Sequence, residues 1–456
     1  MKEIGFIKRL SIFALSLAFL PVACGIGGGG GGTTVPAFPL KVSSNGRYLV
    51  NQNNEPFLMI GDAPQSLMVN ATLGDVDFYL ANRASHGFNV LWVNLLCAEY
   101  TGGRSDAGTL DGLKPFTAAG DLSTPNEAYF ARCDRIIRSA AGHDITIILD
   151  PAETGSFLTV MRANGVDKCK AYGRYLGSRY RDFDNILWMS GNDFQSWRIE
   201  SDNALVKAVA DGIKETDPRH IHTLGLDYFV SSSLDNALWS DLVTLNAAYT
   251  YYPAYAEVIK DYNRTPVVPV FLIETDYEFE NGADDERLRR QEYWSFLAGA
   301  CGHVYGSGYI WSLSSGWKDK LDTAAVTQFG YCRDLFESRP WHSLVPDQAH
   351  VLVTAGYGTF WSGGEPSSGI SQNDYVTAAS TPDGKLALVY IPTVRTVTVD
   401  LARLSGSITA RWYDPTSGTY QPIAGSPFPN TGSQNFTTPG VHADGAGDWV
   451  LVLEAQ

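Results

Sequence analysis

The chain of 456 residues has no Cys-x-x-Cys pair, and so lacks the ligand spacing of a structural zinc site. It has no long basic run either: 34 Lys and Arg against 49 Asp and Glu leave a formal charge of -15. That charge excludes the electrostatic footprint of a nucleic-acid binder. No Gly-rich phosphate loop follows its last predicted strands, which argues against a phosphate-binding metabolic enzyme. His220 and His222 fall at the start of a predicted strand rather than at its carboxyl end, so no metal cluster is apparent and no cofactor is expected.

Long apolar runs are scarce as well. Leu10 to Val22 is too short for a membrane span, but behind Lys2, Lys8 and Arg9 it fits the apolar region of a signal peptide. The run closes at Leu20-Pro21-Val22-Ala23-Cys24, a pattern like a bacterial lipobox, with Cys24 as the lipidated residue. Gly25 and Gly27 to Gly32 follow, and with no side chains to bury they read as a flexible tether. The expected organisation is a lipoprotein-type signal peptide over 1–24 and a tether over 25–37. The protein is then exported and meets a membrane only through its N-terminal lipid. Lipidation of Cys24 leaves Cys97, Cys133, Cys169, Cys301 and Cys332, an odd number, so at least one thiol stays free; buried structural cysteines with at most one disulfide are expected.

What the chain does have is apolar runs that end in acids. Asn185 to Asp193 and Val270 to Glu278 each read as a buried strand delivering carboxylates to a sheet rim. Other runs alternate with amphipathic helical stretches: Phe57 to Ile60, Asn89 to Leu96, Ile145 to Leu149, His222 to Leu226, Leu242 to Leu245 closing at Asn246, and His303 to Gly306 with Ile310-Trp311. Helices are predicted at 74–85, 125–141, 167–180, 203–215, 255–262, 285–299 and 325–337. Eight strand-helix units define a (β/α)8 TIM barrel over 38–342. From Val351 the texture changes to short β-rich runs between Pro, Gly, Asn and Asp turns, a small C-terminal β-sandwich over 343–456.

In a parallel barrel the carboxyl ends of the strands share one face, so Asp193 and Glu274 are expected to meet there. Paired carboxylates are the equipment of glycoside hydrolysis. Asp62, Asn94, Asp150, Glu153, Asn246 and Tyr249 sit at or just beyond predicted strand ends and are candidates for binding sugar hydroxyls. Asn192 is placed to hold a hydroxyl beside the acid, and Trp311 to stack on a sugar face.

Particular stretches also resemble the apiosidase-like glycoside hydrolases, glycoside hydrolase family 140 and its relatives. They include Asn45 to Leu49, Tyr79 to Ala84 with Gly87 to Val90, and Pro125 to Phe130. Tyr172 to Leu176, Tyr293 to Ser295, Gly302 to Gly306 and Ser338 to Trp341 continue the match in the same order along the chain. The C-terminal sandwich resembles the type labelled a collagen-binding domain of collagenase. The resemblance implies a retaining O-glycosidase acting on complex glycans, with plant cell-wall and pectic chains as the family's direction. It implies Asp193 as acid/base and Glu274 as nucleophile. Gly61-Asp62-Ala63 and Ile273-Glu274-Thr275 depart from the family's pattern, at positions that bear on sugar specificity. The rival reading is a non-catalytic surface adhesin for carbohydrate or collagen, which release of a reducing sugar would exclude.

Overall fold

A computed structural model describes residues 38–455, apart from 227–229, 362, 364 and 365. The signal peptide, Cys24 and the whole of the tether lie outside the described residues. Between Pro36 and Gln456 the chain forms one compact unit.

Three short antiparallel strands, Lys41–Val42, Leu49–Val50 and Pro56–Phe57, open the fold. Eight parallel strands follow in barrel order: Met59–Asp62, Val90–Asn94, Thr146–Asp150, Ile186–Phe194, His222–Leu226, Asn246–Thr250, Val270–Glu274 and Gly302–Tyr305. The eighth pairs with the first. Between the fifth and sixth the closure is sparse: the Thr244 and Leu245 amides reach the His222 carbonyl at 2.9 and 3.2 Å. Further along, Ser233 stands in for the missing ladder. Its hydroxyl donates to the Leu224 carbonyl at 2.7 Å and accepts from the Ala247 amide at 2.9 Å.

Periodicity explains the two apolar layers. Val90, Trp92, Ile148, Leu187, Met189, Ala247, Phe271 and Val304 fill the barrel interior, while the alternate residues of the same strands pack outward beneath the helices. The helices start where the polar residues demand it. Thr72 and Asp75 form a capping box on Leu73–Ser85, Asn126 caps Glu127–Ala141, and Thr323 caps Ala324–Glu337.

Several boundaries differ from the sequence reading. The sixth strand is Asn246–Thr250 rather than the apolar run before it: Leu242 and Leu245 are buried, but the ladder begins only where Asn246 pairs with Val270. The eighth ends at Tyr305, and Ile310-Trp311 lies in turns beyond it. The helix expected from Asp167 begins at Thr154 and continues to Tyr180, interrupted at Gly165, whose φ of 74° is non-helical. Cys97, Cys133, Cys169, Cys301 and Cys332 are all buried and free, so the conditional disulfide is absent among the described residues.

The C-terminal part is antiparallel throughout. One sheet runs Val345–Pro346, Thr377–Ser380, Leu386–Ile391, Trp449–Ala455, Ser407–Asp414, Thr419–Pro422; the other is Val353–Ala355, Thr396–Asp400, Ser433–Thr437. Between them lies a core that includes Val389, Ile391, Val397, Val399, Trp412, Phe436 and Leu451. The outer face of the larger sheet packs on the barrel helix Asp285–Leu297. There the Tyr293 ring stacks on Tyr390 at 4.9 Å, and Arg289 pairs with Asp448 at 2.9 Å with both side chains fully buried. No helix among the described residues is long and apolar enough to cross a membrane.

Candidate active site

The carboxyl ends of the second, third, fourth and seventh strands bring Asn94, Asp150, Asn192, Asp193 and Glu274 to one face of the barrel. Glu274 ends its strand because the apolar run Val270–Ile273 is satisfied inside the barrel wall and the next residue emerges at the rim. Its Oε1 accepts two phenolic hydrogen bonds, from Tyr249 and Tyr251, each at 2.9 Å. Tyr277, a third phenol, lies close to Glu274 and receives a hydrogen bond from Gln65 Nε2 at 3.2 Å. The buried Oε2 has no hydrogen-bond partner among the described residues.

Asp193 sits on a local excursion of the fourth strand. The pairing register with the fifth strand breaks between Ser190 and Phe194, and φ is positive at both Gly191 (75°) and Asp193 (50°). A left-handed backbone at aspartate is uncommon and is held only where the surroundings determine it. Here Tyr100, from the loop after the second strand, donates its phenolic proton to Asp193 Oδ2.

Burial raises the carboxyl of Glu274 well above the usual carboxylate range, and the charge of Asp193 is the next largest cause; the phenols oppose both by stabilising the anion. Asp150 is likewise pushed well above its ordinary value, by burial first and by Glu153 second. Neither of its oxygens makes a hydrogen bond of normal geometry. Glu153 caps the next helix, accepting from the Ser156 amide at 2.7 Å and the Ala98 amide at 3.2 Å. Burial still outweighs those bonds and pushes it up to about 7. Asn94 Nδ2 and Asn192 Oδ1 are buried without partners, while Asn94 Oδ1 accepts from Trp92 Nε1 at 3.0 Å. Unpaired buried polar atoms on the open end of a barrel are the arrangement that sugar hydroxyls satisfy.

Two of the sequence candidates, Asp62 and Asn246, stand apart from this group. Asp62 is wholly buried and already occupied, by Arg83 Nε at 2.6 Å, the Tyr79 phenol at 2.5 Å and the Ala63 amide at 2.7 Å. Asn246 is the first residue of its strand, at the opposite end of the barrel, where its side chain accepts from the Leu234 amide at 3.1 Å. Trp311, beyond the eighth strand, is half-buried against the interior cluster that also includes Tyr249, Tyr251 and Tyr277, with its indole N–H on Glu280 at 2.8 Å. Conversely, Tyr100, Tyr251, Tyr277 and Gln65 belong to the site and were not read from the sequence. Tyr249-x-Tyr251 carried a signal, since residues two apart on a strand share a side; Tyr100 carried none.

Among the described residues no three His, Cys, Asp or Glu side chains are grouped so as to hold a metal ion. A cleft of about 410 Å³ adjoins Asp193, lined by Tyr100, Gly155, Leu158, Arg162 and Arg198.

An eight-stranded parallel barrel with carboxylates at the carboxyl ends of its fourth and seventh strands has the architecture of barrel glycosidases. Comparison with known proteins is narrower: residues 43–343 match the model of the apiosidase-like catalytic domain, and the chain belongs to that family. Residues 367–454 match a second model, described as "Putative collagen-binding domain of a collagenase". Among solved structures, one described as a glycoside hydrolase is 24% identical, covering 91% of this chain and 97% of its own with a TM-score of 0.77. Another, a glycoside hydrolase family 5 protein from Bacteroides vulgatus ATCC 8482, is 23% identical, covering 91% of this chain and 93% of its own with a TM-score of 0.78. Both share the fold of the whole described chain. No curated protein matches the sequence.

Proposed function

We propose that the protein is an exported retaining O-glycosidase, with Glu274 as nucleophile and Asp193 as acid/base, acting on complex glycans of the plant cell-wall or pectic class. The observation that carries the reading is geometric: Tyr249 and Tyr251 donate to Glu274 at the end of the seventh strand, on the same face of the barrel as Asp193 near the end of the fourth. Two carboxyl groups that influence each other in a dry site do not both ionise easily, so the pair holds one proton near neutrality. The phenols stabilise charge on Glu274 against burial and the charge of Asp193, which act in the opposite direction, and we assign the ionised role to Glu274 and the proton to Asp193. That division is the one retention requires.

Asp193 then protonates the leaving oxygen while a Glu274 carboxylate oxygen attacks the anomeric carbon, and the glycosyl-enzyme forms as the glycosidic bond breaks. In the second step Asp193, now ionised, takes a proton from water, whose oxygen displaces Glu274 and frees the sugar. Asn94, Asp150, Glu153 and Asn192 offer hydrogen-bonding groups to the hydroxyls of the bound sugar.

Glu274→Gln and Asp193→Asn, each assayed on an activated aryl glycoside and on a natural glycan, test the assignment. Glu274→Gln is expected to abolish both activities, whereas Asp193→Asn loses less on the aryl glycoside and regains turnover with azide. Equal losses on both substrates without azide rescue, or a product of inverted anomeric configuration, would remove it. A panel of plant and bacterial glycans identifies the sugar released, and binding without any release would favour the adhesin. Export and lipid anchoring rest on the sequence at Cys24; Cys24→Ser is expected to move the protein from the membrane to the soluble fraction with its specific activity unchanged.

A further inference from the structure

Tyr100 is fixed more firmly than a surface tyrosine needs to be. Its amide donates to Ser156 Oγ at 3.0 Å, and the following carbonyls are held by the Ser66 hydroxyl on Thr101 and by Asn70 Nδ2 on Gly102 at 2.9 Å. The ring lies directly against Gly155, in the first turn of the helix after the third strand; a Cβ at Gly155 would fall 2.1 Å from the ring. The glycine is therefore the space in which the ring sits. From there the phenol donates to Asp193 Oδ2 while part of the ring stays open to the cleft beside Asp193.

We infer that Tyr100, seated in the space left by Gly155, is the positioning residue that holds Asp193 in its acid/base orientation and lines the side of the site where the leaving group departs. The inference rests on the assignment of Asp193 as acid/base. It follows from three facts together: the uncommon positive φ of Asp193, the phenol that reaches it from another segment, and a glycine whose lack of a side chain makes that reach possible. An acid that gives its proton to a leaving oxygen must face that oxygen, so the cleft that Asp193 and Tyr100 share is on the leaving-group side. A phenol donating to the carboxylate also eases ionisation of Asp193 once its proton has gone.

The charged and titratable groups around Asp193 are Glu274, Tyr249, Tyr251 and Tyr277 from the sixth and seventh strands, Asp150 and Glu153 at the end of the third, Tyr100 on its own side, and Arg162, Arg198 and Asp202 along the cleft. Arg162 is taken up by Asp202 at 2.5 Å and Arg198 contacts Gln195 at 3.3 Å.

The test uses Tyr100→Phe and Gly155→Ala in the full protein. Carbon-13 NMR of labelled aspartate carboxyls follows the titration of Asp193, and the pH profile of kcat/KM is measured on an aryl glycoside and on a natural glycan. Both variants are expected to raise the titration midpoint of Asp193 and to move the alkaline limb of kcat/KM to higher pH. They lower turnover of the natural glycan about 10-fold, part of the 10²–10⁴-fold that general acid catalysis supplies, and affect the aryl glycoside less. Gly155→Ala is the stringent arm, because alanine favours a helix over glycine and a loss cannot be put down to a weakened helix. An unmoved midpoint and unmoved alkaline limb in both variants would overturn the inference. The NMR midpoint is read whether or not Asp193 is the acid, so full natural-glycan turnover by Asp193→Asn would defeat the assignment separately.

Discussion

Asp62 and Arg83 form an ion pair with no solvent exposure on either side chain, Nε to Oδ2 at 2.6 Å, linking the end of the first barrel strand to the helix that follows. Arg83 NH1 continues to the Leu321 carbonyl at 2.8 Å, tying the loop after the eighth strand to the same point. Removing one member of such a pair leaves a buried charge alone, at a cost of about 3–5 kcal/mol. Arg83→Met is accordingly expected to lower the denaturation midpoint sharply. Folded Asp62→Asn keeps an unchanged KM, since Asp62 is committed to the barrel wall; steady-state kinetics on the folded fraction check this.

The phenols on Glu274 give a pH signature. Each donates to the anion and so holds the Glu274 pKa below where burial alone would put it. Tyr249→Phe or Tyr251→Phe removes one such donor, the pKa rises further, and the nucleophile ionises only at higher pH. The acid limb of kcat/KM should shift upward in each variant. Because a hydrogen bond to a charged group is worth about 1.5–3 kcal/mol, the loss at the acid side is on the order of 10-fold or more. The profile on an aryl glycoside measures it.

Glu292 lies wholly buried where the barrel helix meets the sandwich, and burial pushes its carboxyl from 4.5 up to about 8. In that interval the folded protein binds a proton that the unfolded chain has released. Stability therefore falls as pH rises from about 4.5 to about 8, by about 1.4 kcal/mol per pH unit for one such group. Glu292→Gln mimics the neutral form. Denaturation series are expected to give equal stability for the two proteins near pH 4 and a more stable variant at pH 8.

The sandwich is bound to the barrel by groups that cannot be left exposed. Trp294 Nε1 donates to the Tyr375 carbonyl at 3.0 Å, Arg290 reaches the carbonyls of Asn373 and Pro392 at 2.9 Å each, and the Arg289–Asp448 pair is buried between them. Deleting Val351 to Gln456 strips the apolar face of the helix Asp285–Leu297 and strands Arg289. Insoluble protein is the expected result. A soluble barrel that keeps full activity, assayed after expression alone, would show the interface to be dispensable.

Strands four and seven were legible in the sequence because an apolar run that ends in an acid has one stable solution in a barrel, burial of the run within the wall and delivery of the acid to the carboxyl end. The helices that begin at Leu73, Glu127 and Ala324 were legible to within two residues from apolar periodicity, while the caps Thr72, Asn126 and Thr323 became visible only in the structure. Asn246 was not legible: Leu242 to Leu245 is as apolar as a strand, and only pairing with Val270 decides that the ladder begins after it. Asp62 looked like a rim acid until Arg83 arrived from the next helix. Tyr249 and Tyr251 share one side at the end of the sixth strand, but Tyr100 and Tyr277 come from other parts of the chain, and sequence spacing carries no information about their convergence with that pair. The amino-acid order thus determined which residues could be delivered to the open face, while closure of the barrel decided which of them meet, because only contact across strands sets the hydrogen bonds and charges that make two carboxyl groups act differently.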